Sequence, residues 1–306
     1  MKTIKLVPDD THIKFMQRRI ITFVFSGLLL LASLVSLATQ GLNFGIDFMG
    51  GTLIEAAQEE DINISALRNR LNNLGVAQVQ IQEFGSSNDV LIRISGNEEA
   101  QGTEENLTAV AAIRQELEGD FEIRRVEIVG PQISGELIQA GLLAVTLAVI
   151  SMLIYIWFRF EWQFSVGSVI ALIHDVVLTL GIFSFLQLEF NISILAALLT
   201  IVGYSMNDTV VVYDRVREKL RKYKKMLLTE LLDLAINKTL SRTVMTSVTT
   251  LIALFSLYIF GGEVIRGFTF AMIFGIIVGT YSSIFVAAPV LNLLGVKRDW
   301  SGLDNT

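Results

Sequence analysis

The chain has 306 residues, 52% of them hydrophobic and only 18% charged, with a mean hydropathy of +0.56. That profile excludes an ordinary soluble enzyme and points to several membrane spans plus one polar region. The absence of Cys rules out a disulfide scaffold and Cys-based zinc or thiol chemistry. Two His residues, His12 and His174, are too few for a His-rich metal site, and the formal charge of −6 conceals an uneven distribution.

Residues 1–19 are polar, with Lys2, Lys5, Lys14, Arg18 and Arg19, and the apolar run 20–39 follows. Small residues near its end, Ser36 and Ala38, allow a signal-peptide reading. The run nevertheless exceeds the about 7–15 residues of a signal h-region, and more spans follow, so an uncleaved first helix is expected. Five further runs, at 138–158, 164–186, 192–212, 243–260 and 267–294, approach or exceed the ~20 residues that cross a membrane core. With the N-terminus inside, 17 of the 24 Lys and Arg fall in inner segments, including the loop 213–242 and the tail 297–306. The positive-inside rule therefore places both termini in the cytoplasm.

The outer segment, 40–136, is long enough to be a domain. It holds 17 Asp and Glu against 6 Arg and no Lys, a balance that disfavours nucleic acid and anionic lipid. Its pattern predicts strand 52–58, helix 65–74, strand 76–84, strand 89–94, helix 104–117 and strand 121–129. Val76, Val79 and Ile81 nearly alternate, as do Val90, Ile92 and Ile94. The order βαββαβ is the split ferredoxin-like arrangement. Asn63-Ile64-Ser65 and Gly102-Thr103-Glu104 supply helix starts, so the sequons at Asn63 and Asn106 read as caps before glycosylation sites. In the inner loop, Leu227, Leu228, Leu231, Leu234 and Ala235 recur at helical spacing. They predict an amphipathic helix at the inner surface, either anchoring the bundle or docking a partner.

Several polar groups fall inside the spans. An Asp at mid-membrane costs roughly 2.5–3.5 kcal/mol on insertion scales and marks a functional candidate. Asp208 sits late in the fourth span, with Thr200 and Tyr204 on its stripe and Gly203 and Asn207 on the adjacent one. His174 and Asp175 lie near the middle of the third span, where Ala171 and Gly167 precede Asp175 on the same face. In the fifth span Arg242, Thr246, Thr249, Ala253 and Ser256 form a polar or small seam. The sixth repeats small residues every fourth position (Gly267, Ala271, Gly275, Gly279, Ser283, Ala287), which predicts close helix contact, and Pro289 predicts a kink or an end. By depth, Arg242 and Asp208 can come within salt-bridge reach, with Asp175 and His174 further out. The pair is read either as mutual neutralisation or as a proton relay in which Asp208 changes protonation state and Arg242 tunes it. No P-loop pattern occurs, so energy must come from an ion gradient or a partner.

Taken in order, the motifs resemble those of the SecF family of protein-export membrane subunits. Leu42-Asn43-Phe44-Gly45-Ile46-Asp47-Phe48-Met49-Gly50-Gly51-Thr52 resembles the signature after its first span. The run from Gly203 and Tyr204 through Asp208 to Asp214 and Arg215 resembles its fourth-span signature, and Ser241 to Ser247 its fifth. Gly261-Gly262-Glu263-Val264-Ile265-Arg266-Gly267-Phe268 is similar to the loop before its last span. Met206 and Tyr213 fall at variable positions of the pattern. The resemblance implies a multi-pass bacterial inner-membrane protein, neither an enzyme nor a holder of a cofactor or metal. It also implies a SecD partner and a role in using the proton gradient to help preproteins through the SecYEG channel in the lipid bilayer. Asp208 and Arg242 match the positions tied to proton movement; Asp175, His174 and Asn207 join them by depth alone. The alternatives are half of a small-molecule exporter of the resistance-nodulation-division type, and a passive assembly factor.

Overall fold

A computed structural model describes residue 8 and residues 11–75, 78–84, 86–95 and 103–296. The expected strand start at Val76, the helix start at Gly102, most of the N-terminal segment and the tail 297–306 fall outside these residues. In chain order the elements are α1 (Arg19–Thr39), β1 (Asn43–Phe44), α2 (Ile46–Met49), β2 (Gly51–Ala57), α3 (Ile64–Asn72), β3 (Gln78–Phe84), β4 (Ser86–Ser95), α4 (Thr103–Leu117) and β5 (Glu122–Val129). They continue with α5 (Pro131–Arg159), α6 (Trp162–Phe185), β6 (Glu189–Phe190), α7 (Ile192–Lys222), α8 (Leu228–Phe260), α9 (Glu263–Ser282) and α10 (Ala288–Leu293).

The chain divides into two compact units: residues 1–43, 145–188 and 193–306, and residues 44–144 with 189–192. In the second unit, β2 to β5 form one antiparallel sheet in the order β3-β4-β2-β5, the ferredoxin-like order the pattern predicts. Register places Ile81 beside Ile92, Ile92 beside Ile54 and Ile54 beside Val126, one apolar row across all four strands. Leu67 and Leu71 of α3 and Val110, Ile113 and Leu117 of α4 close over that face. The Asn63 side chain accepts the Ala66 amide at 3.0 Å, so this sequon is a helix cap. Gly50 and Gly51 have φ of 70° and 120°. A side chain at either would be strained there, which explains the glycine pair between α2 and β2.

Among the described residues six helices are long and apolar enough to cross a membrane. They bury very different shares of their surface: 56%, 50% and 67% of residues in the third, fourth and sixth, against 11%, 6% and 11% in the first, second and fifth. The bundle's interior is thus built from α6, α7 and α9.

The segment between the fourth and fifth spans differs from expectation. The predicted inner-surface helix is not a separate element, and the loop 213–242 shrinks to residues 223–227, because α7 runs on to Lys222 and α8 starts at Leu228. No Gly or Pro interrupts residues 228–260, so nothing breaks the helix between its inner end and the fifth span. Its apolar face is covered by protein: Leu231, Leu232, Ala235 and Ile236 pack with Leu220, Phe15 and Met16. The Asn237 amide clips the N-terminal segment from both sides, accepting from Ile13 N at 3.0 Å and donating to Ile13 O at 2.8 Å. Asp233 accepts from Met16 N at 2.8 Å.

The sixth span is interrupted near Pro289, as its sequence predicts. Pro289 has no N–H to close a regular turn, and the chain passes through a π turn at Ser283–Ala287 before α10. Tyr213, read from sequence as a variable position, is fully buried and donates its hydroxyl to Ala287 O at 3.0 Å. Gly167 makes room for it: a Cβ there would collide with the Tyr213 hydroxyl.

Candidate functional site

At 1.5 Å per residue, Asp208 lies ~24 Å down α7 from Ile192, and Asp175 ~15 Å from the Phe185 end of α6. Both are buried, at 4% and 0% exposure, yet their surroundings differ. Asp175 is fully engaged: Ser205 of α7 donates to its Oδ2 at 2.5 Å, Ser282 of α9 donates to the same oxygen at 2.7 Å, and His174 Nδ1 lies 2.9 Å from Oδ1. One carboxylate therefore joins three helices. The His174 ring stacks on Tyr281 at 6.2 Å, and its Nε2 has no hydrogen-bond partner among the described residues.

Asp208 is the opposite case. Its Oδ2 is buried with no hydrogen-bond partner among the described residues. No ion pair within 4.0 Å joins it to Arg242, although the Arg242 charge still acts on it. Arg242 and Asn207 are exposed on the bundle surface, as are Thr246, Thr249, Ala253 and Ser256. The seam of the fifth span thus faces outward. Its hydroxyls satisfy themselves on their own helix, Thr246 on Arg242 O, Thr249 on Met245 O and Ser256 on Ile252 O.

The small residues of α9 press on α7. A Cβ on Gly267 would lie 3.4 Å from Ile194, on Gly275 2.5 Å from Ile201 Cγ1, and on Gly279 2.9 Å from Ser205 Cβ. Ala271 and Ser283 are fully buried. Among the other motif residues, Tyr204 has a buried hydroxyl without a partner among the described residues, and Gly203 has only Met152 Cε near, at 3.9 Å. Asp214 pairs with Arg159 at 2.7 Å and Arg215 with Glu218 at 2.5 Å. Gly262 starts α9 at φ 78°, and Arg266 lies over the Tyr258 ring at 5.6 Å. The Glu263 side chain lies outside the described residues.

A second cluster surrounds Gly45 and Asp47 in the sheet unit. Asp47 Oδ2 accepts from Ile192 N at 3.0 Å, capping the first turn of α7, and Asp47 O accepts from the Ser134 hydroxyl at 2.9 Å. Gly45 N donates to Phe190 O at 2.8 Å. Arg93, on β4, reaches Glu189 at 3.2 Å and Phe44 O at 2.9 Å. A Cβ on Gly45 would stand 2.6 Å from Glu189 Oε1, so no side chain fits there. Burial pushes the Glu189 carboxyl above its ordinary value of 4.5, with Asp47 and Glu127 adding to the rise and Arg93 opposing it. The folded unit then holds more protons than the unfolded chain between those two values. This group's contribution to stability accordingly rises as pH falls through the raised pKa and levels off below about 4.5. Thermal unfolding followed from pH 7 down to about 4.5 should show that gain, and Glu189→Gln should flatten it; an unchanged slope in the variant would assign the gain elsewhere.

Sequence reasoning missed Ser205 and Ser282, which lie beside the marked stripes and not on them. It also missed Arg93, which falls on the polar positions of an alternating strand, and Glu189, in a two-residue strand too short to carry a periodic signal.

Comparison with known proteins then fixes the family. Residues 109–297 match the model described as protein export membrane protein SecD/SecF, C-terminal, and residues 35–57 match the SecD/SecF GG motif. The protein translocase subunit SecF of Cereibacter sphaeroides is 47% identical over 96% of this chain and 93% of its own, and that of Rickettsia rickettsii 45% over 95% and 94%. The chain belongs to the SecF family. SecF proteins are translocase subunits, so this family member is a multi-pass membrane component of protein transport and not an enzyme. The crystal structure of the translocon-associated membrane protein SecDF from Thermus thermophilus superposes with TM-score 0.86 at 35% identity, covering 96% of this chain. A SecDF structure in a super-membrane-facing form gives 0.70 at the same identity and coverage. The chain spans 40% of each of those SecDF chains.

Proposed function

We propose that this SecF-family chain works with SecD in the bacterial inner membrane, both termini in the cytoplasm. There the pair uses the proton motive force to assist preproteins emerging from SecYEG. The observation that carries this reading is the buried Asp208 carboxylate with an unpartnered oxygen: such a group is costly unless it changes protonation state or meets a partner. Arg242 and Asn207 flank it on a surface that lipid cannot satisfy, which suits a second, SecD-type half completing the site. Onward from Asp208 the polar groups continue one turn up α7 to Ser205, then to Asp175 and His174. This gives the proton an outward branch. A proton crossing 100 mV supplies ~2.3 kcal/mol, enough to bias two arrangements of one fold. That SecDF structures of equal identity and coverage score 0.86 and 0.70 supports the existence of such arrangements in the family.

The test is preprotein export in vesicles holding this chain, SecD and SecYEG. Collapsing the proton gradient should remove the SecD- and SecF-dependent part of export and leave the remainder. Export assistance that survives a protonophore would overturn the reading.

A further inference from the structure

We propose that Asp47, Arg93 and Glu189 are positioning residues that fasten the first turn of the Asp208 helix to the outer sheet. Displacement of that sheet is thereby carried to Asp208 through the backbone of α7. The inference rests on the proton reading of Asp208 and adds the coupling element. Residues 189–192, the turn that leads into α7, cluster with the sheet unit and not with the bundle. Helix caps are ordinarily local, supplied by the residue just before the first turn. Here the Ile192 amide is held by a carboxylate 145 positions earlier in the chain, at 3.0 Å. Beyond satisfying an orphan N–H, a negative charge at this end suits the helix dipole.

Two further links hold the same turn. The Gly45 amide bonds Phe190 O at 2.8 Å, and Arg93, fixed at 2.9 Å to Phe44 O, pairs with Glu189 at 3.2 Å. Phe190 also packs on Phe44 and Phe48, with ring centroids 6.0 and 5.7 Å away. Cap, backbone bridge, ion pair and rings together hold Glu189, Phe190 and Ile192, and α7 runs unbroken from there past Asp208 to Lys222.

The experiment compares Asp47→Ala, Asp47→Asn and Asp208→Asn in the assembled complex with SecD. Asp47→Ala should lower gradient-driven export. It should also speed amide exchange at residues 192–195 about fivefold, the ratio that a ~1 kcal/mol cap corresponds to. Exchange elsewhere in α7 and co-purification with SecD should stay unchanged. Asp47→Asn should restore both readouts, since Asn caps as well as Asp. Arg93→Glu and Glu189→Arg should each lower export, and the double exchange should recover it. Full export by Asp47→Ala, or failure of Asp47→Asn to rescue, would overturn the coupling role. If Asp47→Ala exports fully while Asp208→Asn does not, the coupling alone is wrong. Full export by Asp208→Asn would remove the proton reading itself.

Discussion

Asp208→Asn is expected to leave the protein folded and bound to SecD while abolishing the gradient-dependent part of export. Asn is nearly isosteric; it removes the ability to ionise and exchanges one acceptor oxygen for an amide donor. The wild-type carboxylate has no hydrogen-bond network to lose at Oδ2 among the described residues, so the structural cost should be small or even favourable. Asp175→Asn should behave differently. Ser205 and Ser282 both donate to one Asp175 oxygen, and each charge-assisted bond contributes roughly 1.5–3 kcal/mol. Weakening the acceptor should therefore lower thermal stability as well as activity. The two buried carboxylates are thus separable in one experiment pairing a melting curve with an export assay. Should Asp208→Asn unfold the complex, or export at the wild-type rate, the assignment of the carrier to Asp208 fails.

Replacing Gly275 or Gly279 by Ala is expected to destabilise the bundle, against the usual helix preference. In a helix interior Ala is favoured over Gly by about 0.8–1 kcal/mol. Overpacking a filled interface costs typically 1–3 kcal/mol, and here the second effect prevails. A Gly275 methyl would stand 2.5 Å from Cγ1 of Ile201, a stiff β-branched side chain, and a Gly279 methyl 2.9 Å from Ser205 Cβ. Displacing Ser205 would also pull its hydroxyl from Asp175. Gly203→Ala is the control, since its nearest outside atom is a flexible Met152 methyl at 3.9 Å. Unfolding temperatures of the detergent-solubilised complexes should fall for the first two and hold for the third. Equal behaviour of all three would show that close α7–α9 packing is not what these glycines serve.

Much of this was readable before any coordinates. Alternating Val79, Ile81, Val90, Ile92 and Ile94 described a half-buried sheet, because strand periodicity survives in any context where one face is covered. The small stripe of the sixth span described a close crossing for a similar reason: only small side chains leave that space. What escaped were contacts with no local signature. Ser205 and Ser282 are common helix residues, and only the approach of three helices turns them into ligands of Asp175. Asp47 looked like part of a glycine turn, and nothing near it in the chain announces a cap for Ile192. The inner end of α8 misled because an amphipathic face carries no label for what covers it. Membrane lipid and protein core fit the same pattern, and here Phe15, Met16 and Leu220 take the place of lipid.

The clip between Asn237 and Ile13 bears on how the protein comes to be made. It joins residues 224 positions apart, so the amide and carbonyl of Ile13 find these partners only after the inner end of α8 has been synthesised. Until then the backbone of Ile13 lacks both of its Asn237 partners. A segment emerging early thus waits for one emerging late, and the order of synthesis runs opposite to the order in which the inner end closes. A chain cut before Leu228 would lack Leu231, Leu232, Ala235 and Ile236 from the cluster around Phe15 and Met16, along with both partners of Ile13.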